Sequence, residues 1–565
     1  MMAAVLPPET ATATIPRRVV DDDVDVVVGG GFATSTTSTT AAFVAFGGAE
    51  RNECLVFDQS EQCLARVFDG LSSESFDIYC LYNLLDIKER VSSVPVCALR
   101  LAYFRSVFNK INLTHDGPGL ATNFLSIVDR EVSNAGGEST VRDAVGGVEG
   151  AQFALARAIF RLPAHRLLRV MKAIERDSRG QAANPVWHAL RVDTVSATRF
   201  HDVLSTRKIT FRKDLDFRHS SEAVRFGMQC ESVIAQVIRE FVAEGRGGLS
   251  DIGLLLDPAS GVLGASLDFC SGLSRDDDGL LVVAPGAAIF EIKCRFKYLR
   301  SRDDRAVRGL LDDPGLQSFA DFILDHHTPA VEFRHQGQLP TSRECLVSYD
   351  RVFRQSCKRR RTGVVSESLR LWIDDLIKEN SEVLSTVFVF DARAVEGETG
   401  AATSVGDDDE LILSAERPTL YLDLFLKAAF AAPVFANPRH PYYCQTLVQH
   451  YVLSQYYINA HRDPERMSPD ELPSVYLVSA ILRKRDESER GRVIRINGHR
   501  SDCDEVPLCV VVTPVRLDPH FARDAVSSVL DVWEGDIGKK TGLALWVQSA
   551  VNGYVAACIP TPRTP

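Results

Sequence analysis

The chain has 565 residues, is 45% hydrophobic and 25% charged, and carries a formal net charge of −11, a balance that suits a large globular protein with one big core or two to four domains of about 150 residues. An acidic chain of this kind is no general nucleic-acid coat, so any nucleic-acid binding has to sit in a local basic groove. The 13 cysteines include no CxxC pair, which argues against zinc ribbons and redox motifs, and with no basic-then-apolar start and no apolar run of ~18 residues, the expectation is reduced thiols, no signal peptide and no membrane span.

Residues 1–50 are low in complexity, with Asp, Thr, Ser and Gly runs, and read as a disordered tail. Residues 51–215 read as mainly helical: "SFDIYCLYNLLDIKERV" and "VPVCALRLAYFRSVFNKI" have helical apolar spacing. A Gly-rich break at 136–150 precedes "GAQFALARAIFRLPAHRLLRVMKAIERDS", a helix expected to kink at Pro163. "WHALR" ends a helical turn, and "VDTVSATRF" begins a new helix with Thr194 or Ser196 as N-cap. Residues 216–565 hold a helix, then an acidic hairpin, then the strand "STVFVFDAR" and a stretch at 397–410 that reads as an exposed insertion. A long helix starting near Pro441, the strands "SVYLVSAILR", "RVIRI" and "PLCVVVTPV", and the helix "HFARDAVSSVLDVWEGDI" follow. No internal repeat is present, and the alternation of helices with apolar strands means α/β or α+β. Residues 51–215 and 216–565 are expected to pack as one large domain.

The hairpin carries the chemistry. Strand side chains alternate, so "GASLDFC" puts Asp268 on the same face as Ser266, and "FEIKCRFKYLR" puts Glu291 and Lys293 side by side among Ile289, Phe290, Ile292 and Phe296. On the preceding helix, Val224, Met228, Ile234, Ile238 and Phe241 form an apolar stripe with Glu231 in its middle. Buried acids are costly unless paired or bound to a cation. Glu231, Asp268 and Glu291 are the hard oxygen ligands that Mg²⁺ or Mn²⁺ prefers, and Lys293 can orient or deprotonate a water or neutralise a phosphate oxygen. Phosphodiester hydrolysis needs such parts. An acid-x-Lys tripeptide alone is more often an ion pair at a strand end, and the chain has a second tripeptide of this kind at Asp86–Lys88; the further acids Asp268 and Glu231 favour a site while leaving the ion-pair reading open. Independently, the helix start near Ser196 with Arg191 just before it can form an anion pocket, or be plain capping.

The segments "SRGQ…NPVW…LR…TVSAT.F", "GLLLDPASGVLGASLDFC", "EIKCRFKYLR", "NPRHPYYCQTLVQHYVLSQYY" and "VYLVSAILR", in this order, resemble the herpesvirus alkaline nuclease family over about residues 165–565. The resemblance is strongest to the betaherpesvirus, cytomegalovirus-type members. It implies a PD-(D/E)XK nuclease core similar to phage lambda exonuclease: a mixed central sheet flanked by helices, with an added helical N-terminal region. It also implies that Glu231, Asp268 and Glu291 bind the metal, Mg²⁺ or Mn²⁺, and that Lys293 is the catalytic lysine. Gln181, Arg191, Ser196, Thr198 and Ser266 would line the substrate site and hold a DNA 5′ phosphate. Gln445 matches a helix glutamine of lambda-type exonucleases. Thr198 stands where some relatives have serine, which keeps the hydroxyl, and no catalytic position departs from the pattern.

What the resemblance implies is a metal-dependent deoxyribonuclease that digests duplex DNA from 5′ ends, with some endonuclease activity. It would process branched viral DNA in the host nucleus during replication and packaging, with a viral single-stranded-DNA-binding protein as partner. Two rivals are an RNA-cleaving host-shutoff nuclease and a non-enzymatic replication or packaging scaffold. The basic run Lys358–Arg361 is open between nuclear localisation, DNA contact and plain surface.

Overall fold

The computed structural model describes residues 93–114, 122–134, 151–191, 194–209, 221–243, 246–325, 345–348, 367–396, 420–461, 467–541 and 545–559. All of them lie within one compact unit, Gly48–Pro565. The tail at 1–50, the expected helix at 75–91 with Asp86–Lys88, the break at 136–150, the run Lys358–Arg361 and the stretch 397–410 lie outside the described residues.

The first helices are α1 (Val96–Thr114), α2 (Thr122–Val132), α3 (Ala151–Phe160) and α4 (Ala164–Asp177). The expected kink at Pro163 is a full break. Pro163 is extended (φ −58°, ψ 150°) and stands at the N-cap of α4, a place where its missing N–H costs nothing. Next come α5 (Pro185–Arg191), the short strand β1 (Val195–Ser196), α6 (Ala197–Thr206) and α7 (Glu222–Val237). Pro185 at the first helical position suits α5. The Ser221 hydroxyl accepts from Val224 N at 3.4 Å and caps α7. Ser196 does occupy the N-cap position of α6, but its side chain makes no cap bond. Thr194 is no cap either: it donates to Leu190 O at 2.6 Å and accepts from the buried Arg100 at 2.9 Å.

Beyond α7 lie β2 (Gly248–Leu249), β3 (Leu255–Leu256), β4 (Leu263–Ala265), β5 (Phe269–Arg275), β6 (Leu281–Cys294) and β7 (Arg300–Ser301). They are followed by α8 (Arg305–Asp312), α9 (Leu316–Leu324), β8 (Leu346–Ser348), α10 (Glu367–Ser381), β9 (Ser385–Glu396), β10 (Leu420–Ala432) and β11 (Val434–Ala436). The rest is α11 (Pro441–Ala460), β12 (Ser474–Lys484), β13 (Val493–Ile496), β14 (His499–Ser501), β15 (Val506–Pro514), α12 (Pro519–Thr541) and α13 (Val551–Cys558).

The main sheet runs β14-β13-β10-β9-β15-β12-β6-β5-β2, with β7 added beside β12. It is mixed: β6 pairs with β12 in parallel and with β5 antiparallel. A separate small sheet, β1-β4-β3, stands beside it. A hydrophobic cluster covers each face of the main sheet. Phe290, Ile292, Val478 and Val510 belong to one with Phe226, Val233 and Ile234 of α7. Ile289, Leu477 and Val511 belong to the other with Leu447, Val448 and Tyr451 of α11. Alternation along β6 therefore sends Phe290 and Ile292 toward α7, and Glu291 and Lys293 toward α11. No helix among the described residues is long and apolar enough to cross a membrane.

Candidate active site

"GASLDFC" is not one strand. β4 ends at Ala265 in the small sheet, β5 begins at Phe269 in the main sheet, and Ser266-Leu267-Asp268 is the step between them. The step leaves Asp268 outside either ladder, next to β6. Its Oδ2 accepts from Ile292 N at 2.7 Å, which fixes the carboxylate beside Glu291 and Lys293.

Glu291 is fully buried, and polar partners satisfy it. Lys293 donates to Oε1, Gln445 donates to Oε1 at 2.5 Å, and Gln449 donates to Oε2. The two glutamines are one helical turn apart on α11, so they project from the same face. Gln449 also donates to Ser266 O at 3.0 Å, tying the step before Asp268 to Glu291. Lys293 keeps 22% of its side chain exposed, and its Nζ lies 5.1 Å from the Tyr442 ring centre.

Glu231 needs a correction. Val224 and Met228 are not on the buried stripe: they are 49% and 53% exposed. The apolar residues of α7 fit two stripes, and the sheet takes the one made by Phe226, Cys230, Val233, Ile234 and Val237. Glu231 is half-buried at the seam between buried and exposed faces. From there its charge still acts on Lys293 and Glu291.

The electrostatics are those of a crowded anionic pocket. Burial raises the Asp268 carboxyl well above its usual range, and the charges of Glu291 and Glu231 push it further up. Burial also raises Glu231; Lys293 opposes the shift and Glu291 adds to it. Burial works to lower Lys293, but Glu291 and Asp268 outweigh it and hold the ammonium protonated. One lysine does not neutralise three acids, and a divalent cation would. The donor set is all carboxylate oxygen, which fits Mg²⁺ or Mn²⁺ and not a thiophilic ion. The buried Gln449 Oε1 has no hydrogen-bond partner, which is consistent with a further ligand at this place.

The anion-pocket residues surround the same step. Trp187 Nε1 donates to Ser266 Oγ at 3.0 Å. The Arg191 guanidinium stacks 4.0 Å from the Trp187 ring centre, so arginine, indole and Ser266 follow one another toward Asp268. Ser196 pairs with Gly264 across β1 and β4, and its hydroxyl lies 3.0 Å from that of exposed Thr198 at the start of α6. Gln181 holds a left-handed backbone (φ 43°) and donates to Ile252 O at 3.1 Å, behind the step. Its side chain thus braces the loop.

Sequence reasoning missed Gln449, Trp187 and Tyr442. Gln449 had a signal: a second glutamine at i+4 from Gln445 in an otherwise apolar helix. Trp187 and Tyr442 had none, since an aromatic beside a helix start reads as core. His440 caps α11, its Nδ1 accepting from Tyr442 N at 3.2 Å, and His450 pairs with Tyr554 at 2.9 Å; both are structural.

The family model for viral alkaline exonuclease matches residues 71–551. The chain is 37% identical to the alkaline nuclease of human herpesvirus 6B over 87% of its length and 97% of that protein. It is 34% identical to the alkaline nuclease of human cytomegalovirus, over 90% of this chain and 99% of the other. The fold is similar to the crystal structure of the shutoff and exonuclease protein of Kaposi's sarcoma-associated herpesvirus, with a TM-score of 0.62 and 23% identity over 86% of this chain and 98% of that one. It is also similar to a crystal structure of a SOX–DNA complex, with a TM-score of 0.57 and 22% identity over 88% of this chain and 93% of that one. The mixed sheet flanked by helices is thus the PD-(D/E)XK nuclease fold, and with betaherpesvirus relatives at this level the chain belongs to the viral alkaline exonuclease family and is a nuclease.

Proposed function

We propose that the chain hydrolyses duplex DNA from 5′ ends with Mg²⁺ or Mn²⁺, with some endonuclease activity, and processes branched viral DNA in the host nucleus during replication and packaging. A viral single-stranded-DNA-binding protein is the expected partner. The observation that carries the reading is Asp268 held beside Glu291 and Lys293 by its bond from Ile292 N, with Glu231 close enough for its charge to act on Lys293 and Glu291. Structures of similar fold hold DNA in one case and RNA in another, so the choice of polymer rests on the test below.

Asp268, Glu291 and Glu231 would hold the cation, which when bound supplies charge for the phosphoryl oxygens and activates a water. Gln445 and Gln449 fix the Glu291 carboxylate so that it need not reorganise during the reaction. Lys293, protonated and partly exposed, places positive charge beside the scissile phosphate. Arg191, held flat on Trp187, offers a planar fork of donors to a terminal phosphate, and the Ser266, Ser196 and Thr198 hydroxyls lie along the same wall. Holding the 5′ end there while the acids act inward gives the direction of digestion. The test is product analysis on end-labelled duplex DNA and on RNA of the same sequence, with Mg²⁺ present. Stepwise release from DNA 5′ ends with much slower RNA cleavage supports the reading; preferential RNA cleavage overturns it in favour of a shutoff nuclease.

A further inference from the structure

Next to Glu231 on α7, the preceding residue belongs to a second cluster of different chemistry. Cys230 is fully buried and Cys503, on the loop between β14 and β15, is 5% exposed. Their sulfurs are 3.7 Å apart. Glu505 Oε2 lies 3.7 Å from Cys230 Sγ and 3.9 Å from Cys503 Sγ. The three donor atoms thus close a triangle with nearly equal sides, and among the described residues this is the group of His, Cys and acid donors that gathers this tightly.

The size of the triangle is informative. Zinc bound tetrahedrally at ~2.3 Å from sulfur and ~2.0 Å from oxygen places two sulfurs about 3.75 Å apart and a sulfur and an oxygen about 3.5 Å apart. The observed edges match the first value closely and exceed the second by a few tenths of an ångström. The surroundings favour a cation too. The Glu505 carboxylate has two weak thiol donors as its partners and forms no ion pair among the described residues. Arg485 anchors the loop, donating to Cys503 O at 2.5 Å and Asp504 O at 2.6 Å, so the ligand loop is already held in place. Glu505 is half-buried and gives access from solvent.

We propose that Cys230, Cys503 and Glu505 form a site for a thiophilic divalent cation, zinc in the first instance, with a water in the fourth position. As each Zn–S bond forms, the thiol proton passes to solvent, so binding releases two protons and needs no oxidant. The ion ties α7 to the loop before β15. Because Cys230 adjoins Glu231, it also fixes the part of α7 that carries the half-buried acid. The site is separate from the carboxylate pocket, whose oxygen-only donors do not select zinc.

The test uses the full chain with a reductant that does not bind metals, loaded with zinc, desalted and analysed for metal content. About one zinc per chain is expected. Cys503→Ser and Glu505→Gln should each lose more than the ~10–100-fold in affinity that removing an outer partner costs, while Glu291→Gln retains the ion. Glu505→Gln keeps size and shape, so it stands in if Cys503→Ser does not fold. With Co²⁺ in place of zinc, the wild type should show thiolate charge-transfer and intense tetrahedral visible bands. The proposal is overturned by zinc content equal in wild type and Glu505→Gln, by loss of zinc in Glu291→Gln instead, by a Co²⁺ spectrum without thiolate bands, or by a Cys230–Cys503 disulfide under reductant.

Discussion

Glu291 is held by three donors, and two of them come from one face of α11. A carboxylate with this support keeps its orientation when substrate arrives. Gln449→Leu removes one donor and also the tie to Ser266. It should lower kcat by about 10–100-fold, the usual cost of losing an orienting partner, with KM little changed. A mutant with wild-type kcat would reduce Gln449 to packing. Glu291 and Asp268 push the Lys293 ammonium up, which favours a fixed positive charge over a role as base. Lys293→Arg should therefore lower the rate yet leave the shape of the pH–rate profile unchanged; loss of the alkaline limb would restore the base. Arg191→Ala should slow digestion of 5′-phosphorylated ends strongly and of 5′-hydroxyl ends much less, measured as the ratio of the two rates. Equal losses would assign Arg191 to folding or general DNA binding. Residue chemistry was legible where alternation rules: Glu291 and Lys293 on one face, two residues apart. It was not legible where a partner comes from afar, as Trp187 does for Ser266, since no local spacing records such a contact.

Among elements, α7 and the step from β4 to β5 show why the rest was hidden. The apolar residues of α7 allow two stripes about 100° apart, and only the sheet decides between them. Leu263–Phe269 keeps an unbroken strand-like alternation, with Leu263, Ala265, Leu267 and Phe269 against Gly264, Ser266 and Asp268, so nothing local marks where the chain leaves one sheet for another. Long strands and helices were legible because period and caps agree, as in α11 with His440 and Pro441 at its start. This helix also carries a pH response. Burial lowers His450 to about 4 from an ordinary 6.5. A depressed folded-state value means that the neutral ring's contribution is complete above pH 6.5 and is lost as pH falls toward 4, by about 3 kcal/mol. His450→Gln should be less stable than wild type at pH 7.5 but lose less stability between pH 6.5 and 4, measured by denaturant midpoints. Parallel pH curves for the two proteins would remove His450 as the cause.

For the whole molecule, an acidic chain of net charge −11 handles a polyanion, so attraction must be local. The pocket is itself anionic, and the proposed cation would make it welcome a phosphate. That dependence on metal is the central claim. The most direct measurement is hydrolysis of 5′-labelled duplex DNA by wild type and by Glu291→Gln, in Mg²⁺ and in excess EDTA. Glu291→Gln removes the charge and one acceptor but keeps the shape, and Gln445 or Gln449 can turn its amide oxygen toward the new NH2, so the fold should survive, as circular dichroism would verify. Turnover by the wild type in Mg²⁺ alone is expected, with none in EDTA and a loss beyond ~10²–10³-fold in the mutant. Wild-type turnover in excess EDTA, or an active Glu291→Gln, would contradict the account.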